Sequence, residues 1–201
     1  MPALKTQTEP LTSSGGYGHS ARRTRTRSMV AAALLTAVMA ASGWVSIPIP
    51  GAVPLTLQIF GVVLAALLLA PQWAAASMAV YVLLGAVGVP IYAGGQGGLG
   101  VLLGPTGGYL TGFVLAAYLG ALIRTRVAER RLHQLASDIA ASAVVILVVY
   151  SVGWAQLAFV LHLAPLSAFV AGVAPFLVPD VIKAAVAIVI ATAVRRAVQP
   201  L

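Results

Sequence analysis

Asp180 and Lys183 are the two residues of this sequence whose types and spacing suggest chemistry in an apolar setting. They stand at the beginning of a long apolar stretch, where a charge costs several kcal/mol unless it has a partner. An ionisable residue inside a membrane is therefore interpreted first as part of a functional site. Positions i and i+3 share one face of a helix, so the two residues would present an anion and a cation together. The alternative is an ion pair that only fixes helix packing.

The composition predicts an integral membrane protein. The 201 residues are 60% hydrophobic and 8% charged, whereas a soluble domain carries about 25% charged residues. The net charge of +8 would suggest nucleic acid in a soluble chain. Apart from Lys183, however, the cations lie in residues 1–27, in residues 124–131 and at Arg195-Arg196, as the positive-inside rule describes for cytoplasmic segments. We therefore expect a lipid bilayer, and no nucleic acid, around this chain.

The chain divides into a tail and a membrane domain. Residues 1–28 are polar and rich in Thr, Ser and Gly, which predicts a disordered basic cytoplasmic tail. Residues 29–198 are predicted to form a single membrane domain, in which several apolar stretches are near the lower length limit for a span, about 17 residues. The predicted transmembrane helices are 29–47, 55–70, 73–89, 105–123, 136–161 and 180–198. A shorter stretch, 166–177, is expected to form a short helix in the last outer loop. The predicted fold is an all-α bundle of six transmembrane helices.

The positions of the charges predict that both termini are cytoplasmic. If the tail is inside, residues 124–133 and the C-terminal end lie on the same side. The outer segments 48–54, 88–104 and 162–179 then contain no Lys or Arg.

A glycine-rich segment predicts the position of a ligand pocket. Eight glycines lie within residues 94–108, and each costs about 1 kcal/mol relative to Ala in a helix. Non-helical backbone at membrane depth is tolerated where it is buried in protein or lines a cavity. We therefore expect a glycine-rich outer loop, including Gly94 and Gln96, that covers a ligand pocket.

Small residues predict close helix contacts. A ridge recurs every four positions in the fourth predicted helix: Gly108, Gly112, Ala116 and Gly120. Such a ridge allows close helix packing inside a membrane. Ala33 and Ala37, with Ala41 below them, form a second stripe in the first predicted helix. That stripe could pack internally or bind a partner, and the residues leave both interpretations open.

The other polar candidates are few. Thr56 and Gln58 open the second predicted helix, and Tyr150 and Trp154 lie one turn apart on the fifth. Asp138 is interpreted as an anion at a helix N-terminus and not as a ligand contact. The three histidines lie in the tail, an inner loop and an outer loop, and cysteine is absent, so we predict no metal site. Without paired carboxylates, a Ser/His arrangement or a phosphate loop, we predict no catalytic residues, no enzyme activity and no ATP hydrolysis by this chain.

The sequence resembles the BioY family, the biotin-binding S components of energy-coupling factor (ECF) transporters. The similarity covers about residues 29–198. It rests on Val53-Pro54-Leu55-Thr56-Leu57-Gln58, the glycine segment from Pro90 to Gly108, Tyr150 with Gly153-Trp154, and Pro179-Asp180-Val181-Ile182-Lys183-Ala184. The resemblance implies a biotin site near the outer face of a prokaryotic plasma membrane, with no cofactor. It also implies delivery of biotin inward with an ECF transmembrane coupling subunit and ATP-binding-cassette ATPases.

The resemblance also implies roles for individual residues. Asp180 and Lys183 match the family positions that help hold biotin, and Lys183 would supply the cation for its valerate carboxylate. Asp180, Gln96 or the glycine-loop backbone is expected to meet the ureido ring. The aromatic candidates for covering the thiophane ring are Tyr92, Tyr150 and Trp44.

Three local comparisons with the family pattern bear on these roles. The family usually has Pro-Gly-Asp where this chain has Val178-Pro179-Asp180. Some members carry an Asn in the glycine loop, a region that Gly94, Gly95 and Gln96 occupy here. Family S components bind the coupling subunit through an Ala-x-x-x-Ala surface on the first helix, and Ala33 with Ala37 fits that spacing.

Two other functions stay open at this point. The chain could be an S component for another vitamin, or a structural membrane protein without a small ligand.

Overall fold

The computed structural model describes residues 16–49, 53–129 and 133–198 of the chain. Within them are eight α-helices, a pair of short strands and a 3-10 turn at Ala93–Gly95. The elements are α1 (Gly16–Trp44), β1 (Ser46–Ile47), β2 (Leu55–Thr56), α2 (Gln58–Leu68), α3 (Pro71–Ala86), α4 (Leu99–Leu103), α5 (Gly107–Glu129), α6 (Gln134–Val160), α7 (Pro165–Gly172) and α8 (Leu177–Val198). The architecture is helical, as the sequence predicts.

Four helices are long and apolar enough to cross a membrane, among the residues that the structure describes. They contain the segments Arg25–Trp44, Gly107–Ala128, Gln134–Val160 and Leu177–Val198. By contrast, α2 has 11 residues and α3 has 16. At about 1.5 Å per residue, each is shorter than a hydrocarbon core of about 30 Å. The six apolar stretches therefore all contain helices, but two of these helices are short.

Two helices extend beyond the apolar stretches that predict them. Residues 16–28, assigned to a disordered tail by the sequence, belong to α1 in the structure. Residues 124–129, assigned to a cytoplasmic loop, belong to α5. Adding a residue to an existing helix gains one hydrogen bond without a new nucleus, so polar residues can continue a helix that an apolar stretch begins. Residues 1–15 of the predicted tail lie outside the described part of the chain.

The two short strands are a departure from an all-α fold. They pair antiparallel, with Ser46 opposite Thr56 and Ile47 opposite Leu55. The apolar pattern predicted helix at both places. The connection between the strands is rich in proline, which restricts its neighbours to extended backbone.

The short helix α2 lies at the centre of the bundle. Its neighbours are α1, α3, α5, α6 and α8. Val62, Val63 and Leu67 are fully buried, and Gln58 is the helix's single polar residue. A helix that is apolar on every side belongs in an interior, which is where this one lies.

The glycine ridge of α5 packs against α6. A Cβ at Gly108 would lie 2.5 Å from the carbonyl oxygen of Val152, and a Cβ at Gly120 would lie 2.6 Å from the side chain of Val145. No real side chain tolerates such distances, so only glycine permits this approach. The prediction of a packing ridge is confirmed.

A cluster of charged residues joins the helices at the other end of α8 from Asp180. Asp138 is 1% exposed, and Arg124 donates to its Oδ1 at 3.1 Å. Arg195 donates to the Oδ2 of Asp138 and also to the carbonyl oxygen of Leu67 at 3.1 Å. Asp138 does lie in the first turns of α6, as expected, but it is also the shared partner of two arginines. The cluster links α2, α5, α6 and α8.

We predict that Asp138→Ala destabilises the protein, because it leaves two arginines near the interior without their anion. The free energy of unfolding should fall by about 3 kcal/mol or more. Thermal unfolding of the purified protein in one detergent measures this, and Asp138→Asn, which keeps one acceptor oxygen, should lose less. An Asp138→Ala protein that unfolds at the wild-type temperature would show that the cluster does not hold the helices together.

Candidate ligand-binding site

The first turn of α8 presents the predicted acid/base pair. Asp180 is 4% exposed, and its backbone N–H donates to the carbonyl oxygen of Phe176 at 2.9 Å, so the helix is regular here. Pro179 fits this first turn because it has no N–H to satisfy. Lys183 Nζ lies 2.6 Å from Asp180 Oδ1. The i, i+3 spacing thus brings the two charges into direct contact, and Val178-Pro179-Asp180 keeps the turn helical.

Two further hydrogen bonds connect this pair to other elements. The hydroxyl of Tyr150 on α6 donates to Asp180 Oδ2 at 2.6 Å. Lys183 also donates to the backbone carbonyl of Thr56 in β2, at 2.6 Å. Both carboxylate oxygens of Asp180 therefore have donors, which is the condition under which a buried ion pair is tolerated.

The pair borders a cavity between α2, α5, α6 and α8. The cavity holds about 590 Å³ of space free of protein atoms, counting its open side. Five of the residues that the sequence singled out line it: Asp180, Lys183, Tyr150, Tyr92 and Gln58. Most of the remaining wall is apolar. The cavity combines one partly buried cation with a largely apolar wall.

The structure separates Gly94 and Gln96 from those five residues. Both line a second hollow of about 1470 Å³, counting its open side, which lies next to the cavity and shares lining residues with it, among them Val53, Ala93 and Thr106. We call this second space the vestibule. Trp44, another aromatic candidate, is 63% exposed and lines neither space.

Gln58 is engaged in an internal chain of hydrogen bonds. Its Oε1 accepts from the Thr56 hydroxyl at 3.0 Å, and its Nε2 donates to the Tyr81 hydroxyl at 2.6 Å. Tyr81 in turn donates to the carbonyl oxygen of Ile91 at 3.0 Å. The Gln58 amide therefore already has a partner at each end.

Tyr92 is held in the same way. Its hydroxyl donates to the carbonyl oxygen of Val82 at 2.6 Å, and burial raises the pKa of this phenol, so the donor proton stays in place. Its ring fills the space left by Gly85, where a Cβ would lie 2.1 Å from a ring atom. Only the ring of Tyr92, and not its hydroxyl, is left to face the cavity.

The glycine-rich residues 94–108 include α4 (Leu99–Leu103), a helical turn that the sequence did not predict, and the beginning of α5 at Gly107, while residues 96–98 and 104–106 lie outside the helices. Gly94, Gly95 and Gly98 have φ angles of 67°, 76° and 97°, which residues with a Cβ rarely adopt. Gln156 on α6 donates to the carbonyl oxygens of Leu102 and Gly104 at 3.0 and 2.9 Å. The segment therefore has a defined path around the vestibule.

Three aromatic residues of the cavity wall were not singled out by the sequence: Tyr109, Phe113 and Phe176. The ring of Tyr109 fits against Gly153, and its hydroxyl donates to the carbonyl oxygen of Gly172 at 2.8 Å. The spacing of Tyr109 and Phe113, one helical turn apart beside the glycine ridge, is the signal that could have identified this face. Trp154 instead donates to the carbonyl oxygen of Pro165 and anchors α7.

The alanine stripe of α1 lies on the outside of the bundle. Ala33, Ala37 and Ala41 are exposed, whereas Leu35 and Met39 of the same helix are buried. Of the two interpretations left open by the sequence, internal packing does not apply within this chain.

Comparison with known proteins identifies the family to which this arrangement belongs. The model of the BioY family matches residues 13–200. The chain belongs to the BioY family. It is 42% identical over 159 residues to the probable biotin transporter BioY of Pyrococcus horikoshii, covering 79% of this chain and 90% of the relative. It is 39% identical over 170 residues to the biotin transporter BioY of Thermotoga maritima, covering 85% and 96%.

A solved structure agrees with this assignment. The S-component for biotin from an ECF-type ABC transporter superimposes with a TM-score of 0.81 at 25% sequence identity, covering 87% of this chain and 93% of that one. The resemblance deduced from the sequence is therefore confirmed. These BioY relatives are named as transporters and not as enzymes. With its long apolar helices, this BioY member is a multi-pass protein of the cell membrane.

We predict that Gly153→Ala disturbs the cavity wall, because the new Cβ would lie 2.4 Å from the ring of Tyr109. Overpacking of this kind should lower the free energy of unfolding by about 1–3 kcal/mol. Gly100→Ala is the matched control, since a Cβ there has no neighbour within 4 Å. Thermal unfolding measures both, and equal midpoints for the two variants would contradict the close contact between Tyr109 and α6.

Proposed function

We propose that this chain is the substrate-binding S component of a biotin uptake system. The observation that carries the proposal is the Lys183 ammonium in a largely apolar cavity, held by Asp180 and the Thr56 carbonyl. The chain's relatives are named as biotin transporters, which supports biotin as the ligand.

The chemistry of the cavity suits a molecule with a carboxylate at one end and an apolar ring at the other. An ammonium has three donors, and two of those on Lys183 have protein partners. A valerate carboxylate would accept a hydrogen bond from the third donor and compete with the Thr56 carbonyl for another. The ring system would pack against the aromatic wall, including Tyr109, Phe113 and Phe176. The ring system would also be bordered by Asp180, Tyr150, Tyr92 and the Gln58 amide.

Gly94 and Gln96 would act earlier, during capture. Both line the vestibule, so an incoming ureido ring would meet the Gln96 amide or the backbone near Gly94 before the carboxylate reaches Lys183. The glycine segment, with residues 53–56, would then cover the occupied cavity from the outside.

We further propose that six helices cross the membrane and that both termini are cytoplasmic. The spans would be α1, α2, α3, α5, α6 and α8, with α2 and α3 completed by the residues that join them to neighbouring elements. Arg124, Asp138 and Arg195 cluster at the opposite end of α8 from Lys183. The positive-inside rule supports a cytoplasmic position for that end.

Delivery would require partner proteins. The sequence has no phosphate loop, so we propose that an ECF transmembrane coupling subunit and ATP-binding-cassette ATPases supply the energy. The exposed stripe of Ala33 and Ala37 would bind the coupling subunit, because small residues let two helices approach closely in a membrane. Tilting of the loaded chain within the membrane would bring biotin inward.

We expect Lys183→Met to weaken biotin binding at least about 30-fold, since removing one partner of a buried charge pair costs about 2 kcal/mol or more. Asp180→Asn should weaken binding in the same direction. Calorimetry with biotin, thiamin and riboflavin on the purified protein measures the affinity and the choice of vitamin. Arg196→Met, which removes an exposed cation from the same helix, is the control and should bind like wild type.

One observation favours a ligand-free structural role instead. Both oxygens of Asp180 have donors within the protein, so the ion pair is complete without a ligand. That alternative expects Lys183→Met to lower the unfolding temperature while biotin binding is absent from the wild type as well. Tight binding of thiamin or riboflavin with no response to biotin would indicate an S component for another vitamin.

We also expect Ala33→Leu/Ala37→Leu to separate binding from delivery. Two bulky side chains would keep a partner helix at a distance, while the biotin site, which lies elsewhere, is untouched. Co-purification with the coupling subunit should fall at least tenfold, whereas biotin affinity should stay at the wild-type value. Ala155→Leu, at an exposed alanine of α6, is the matched control. Normal co-purification of the double variant would rule out this surface.

A further inference from the structure

Two segments from different parts of the chain form the mouth of the cavity. We call residues 53–56 the first mouth segment and residues 91–98 the second mouth segment. Members of both line the cavity and the vestibule. No backbone hydrogen bond joins one segment to the other, although both lie within the described residues. Any direct hydrogen-bonded connection between them must therefore involve side chains.

A chain of side-chain hydrogen bonds connects the two segments. It starts at Lys183, which donates to the carbonyl oxygen of Thr56. The Thr56 hydroxyl donates to Gln58 Oε1, and Gln58 Nε2 donates to the Tyr81 hydroxyl. Tyr81 completes the chain by donating to the carbonyl oxygen of Ile91, in the second mouth segment. One hydroxyl group, that of Tyr81, thus joins the segments.

The surroundings of Tyr81 hold this hydroxyl in position. Tyr81 is fully buried, and its ring meets that of Tyr92 edge to face, with centroids 5.7 Å apart. The carbonyl of Ile91 is pressed toward α1, where only a glycine fits, since a Cβ on Gly43 would lie 2.4 Å from that oxygen. Tyr81 itself does not line the cavity. Its influence on a ligand must act through its neighbours.

We propose that Tyr81 is a positioning residue that keeps the two mouth segments closed over the ligand. The inference rests on the proposed function, because it assigns a role in the exchange of the bound ligand. A ligand carboxylate on Lys183 competes with the Thr56 carbonyl and so acts on one end of the hydrogen-bond chain. The Tyr81 hydroxyl acts on the other end, where it fixes the second mouth segment.

This role has a kinetic consequence. A ligand enters and leaves when the mouth segments separate, and separation breaks the hydrogen bonds of Tyr81. Removing the hydroxyl lowers the barrier to separation of the mouth segments. Both the entry and the exit of the ligand require that separation, so association and dissociation both become faster. The equilibrium affinity changes less, because Tyr81 does not touch the ligand.

The test is Tyr81→Phe, which removes the hydroxyl and keeps the ring. Rate constants for labelled biotin are measured by rapid mixing with purified full-length protein, counting only the active fraction. We expect both rate constants to rise about tenfold, the factor that corresponds to about 1.4 kcal/mol of lost hydrogen bonding, and Kd to change less than threefold. Ser77→Ala is the matched control, because it removes a buried hydroxyl of the same helix whose hydrogen bond is to Ala74 of that helix.

A second variant keeps the proposal testable if Tyr81→Phe does not fold. Thr56→Val removes the next hydroxyl of the chain while keeping the carbonyl that Lys183 uses. It should raise the association and dissociation rate constants in the same way. The double variant Thr56→Val/Tyr81→Phe should have rate constants close to those of either single variant, as expected for residues of one network.

The outcomes separate the inference from the proposed function. Unchanged rate constants in Tyr81→Phe, with normal biotin binding by the wild type, would overturn the inference alone. A lower unfolding temperature with unchanged rate constants would also overturn it, since Tyr81 would then be a purely structural residue. A wild-type protein that does not bind biotin would overturn the proposed function and this inference together.

Discussion

The compensation of one buried carboxylate, that of Asp180, is the interaction that joins three elements at one end of the structure. An anion in an apolar environment is tolerated only when each oxygen has a donor. Lys183 supplies one from the next turn of the same helix, and Tyr150 supplies the other from α6. Lys183 has further donors that need acceptors, and it donates one of them to the carbonyl oxygen of Thr56. One charge thus links α6, α8 and the strand before α2 through hydrogen bonds.

The same reasoning explains how the short helix α2 keeps its place. Its last carbonyls have no partner within the helix, and Arg195 donates to one of them, that of Leu67. Lys183 donates to the Thr56 carbonyl, just before the helix begins. Two cations of α8 therefore contact both ends of α2, and Asp138 is the ion-pair partner of one of them, Arg195. A helix of 11 residues is positioned by the 22-residue helix beside it.

The sequence predicts those features that depend on residues close together along the chain. The spacing of Asp180 and Lys183, the apolar stretches and the glycine ridge of α5 all belong to this class. The sequence does not predict contacts between distant residues, such as Asp138 with Arg195 or Tyr81 with Ile91. The sequence also does not predict that the cavity and the vestibule are two separate spaces. Gly94 and Gln96 line the vestibule, in a segment where Gly94, Gly95 and Gly98 have positive φ angles that no short-range pattern of the sequence specifies.

Polar groups that already have partners determine what a ligand can contribute. Hydrogen bonds to other groups of the protein are made by Asp180, Lys183, Gln58 and Tyr92. In the proposed site, a ligand carboxylate would accept from the third donor of Lys183 and replace the Thr56 carbonyl on another, and replacing one acceptor by another yields little net free energy. Most of the affinity must then come from burying the apolar part of the ligand against the aromatic wall. In the proposed site, the ion pair would select an anionic ligand and fix its orientation, and the aromatic rings would supply most of the remaining binding free energy.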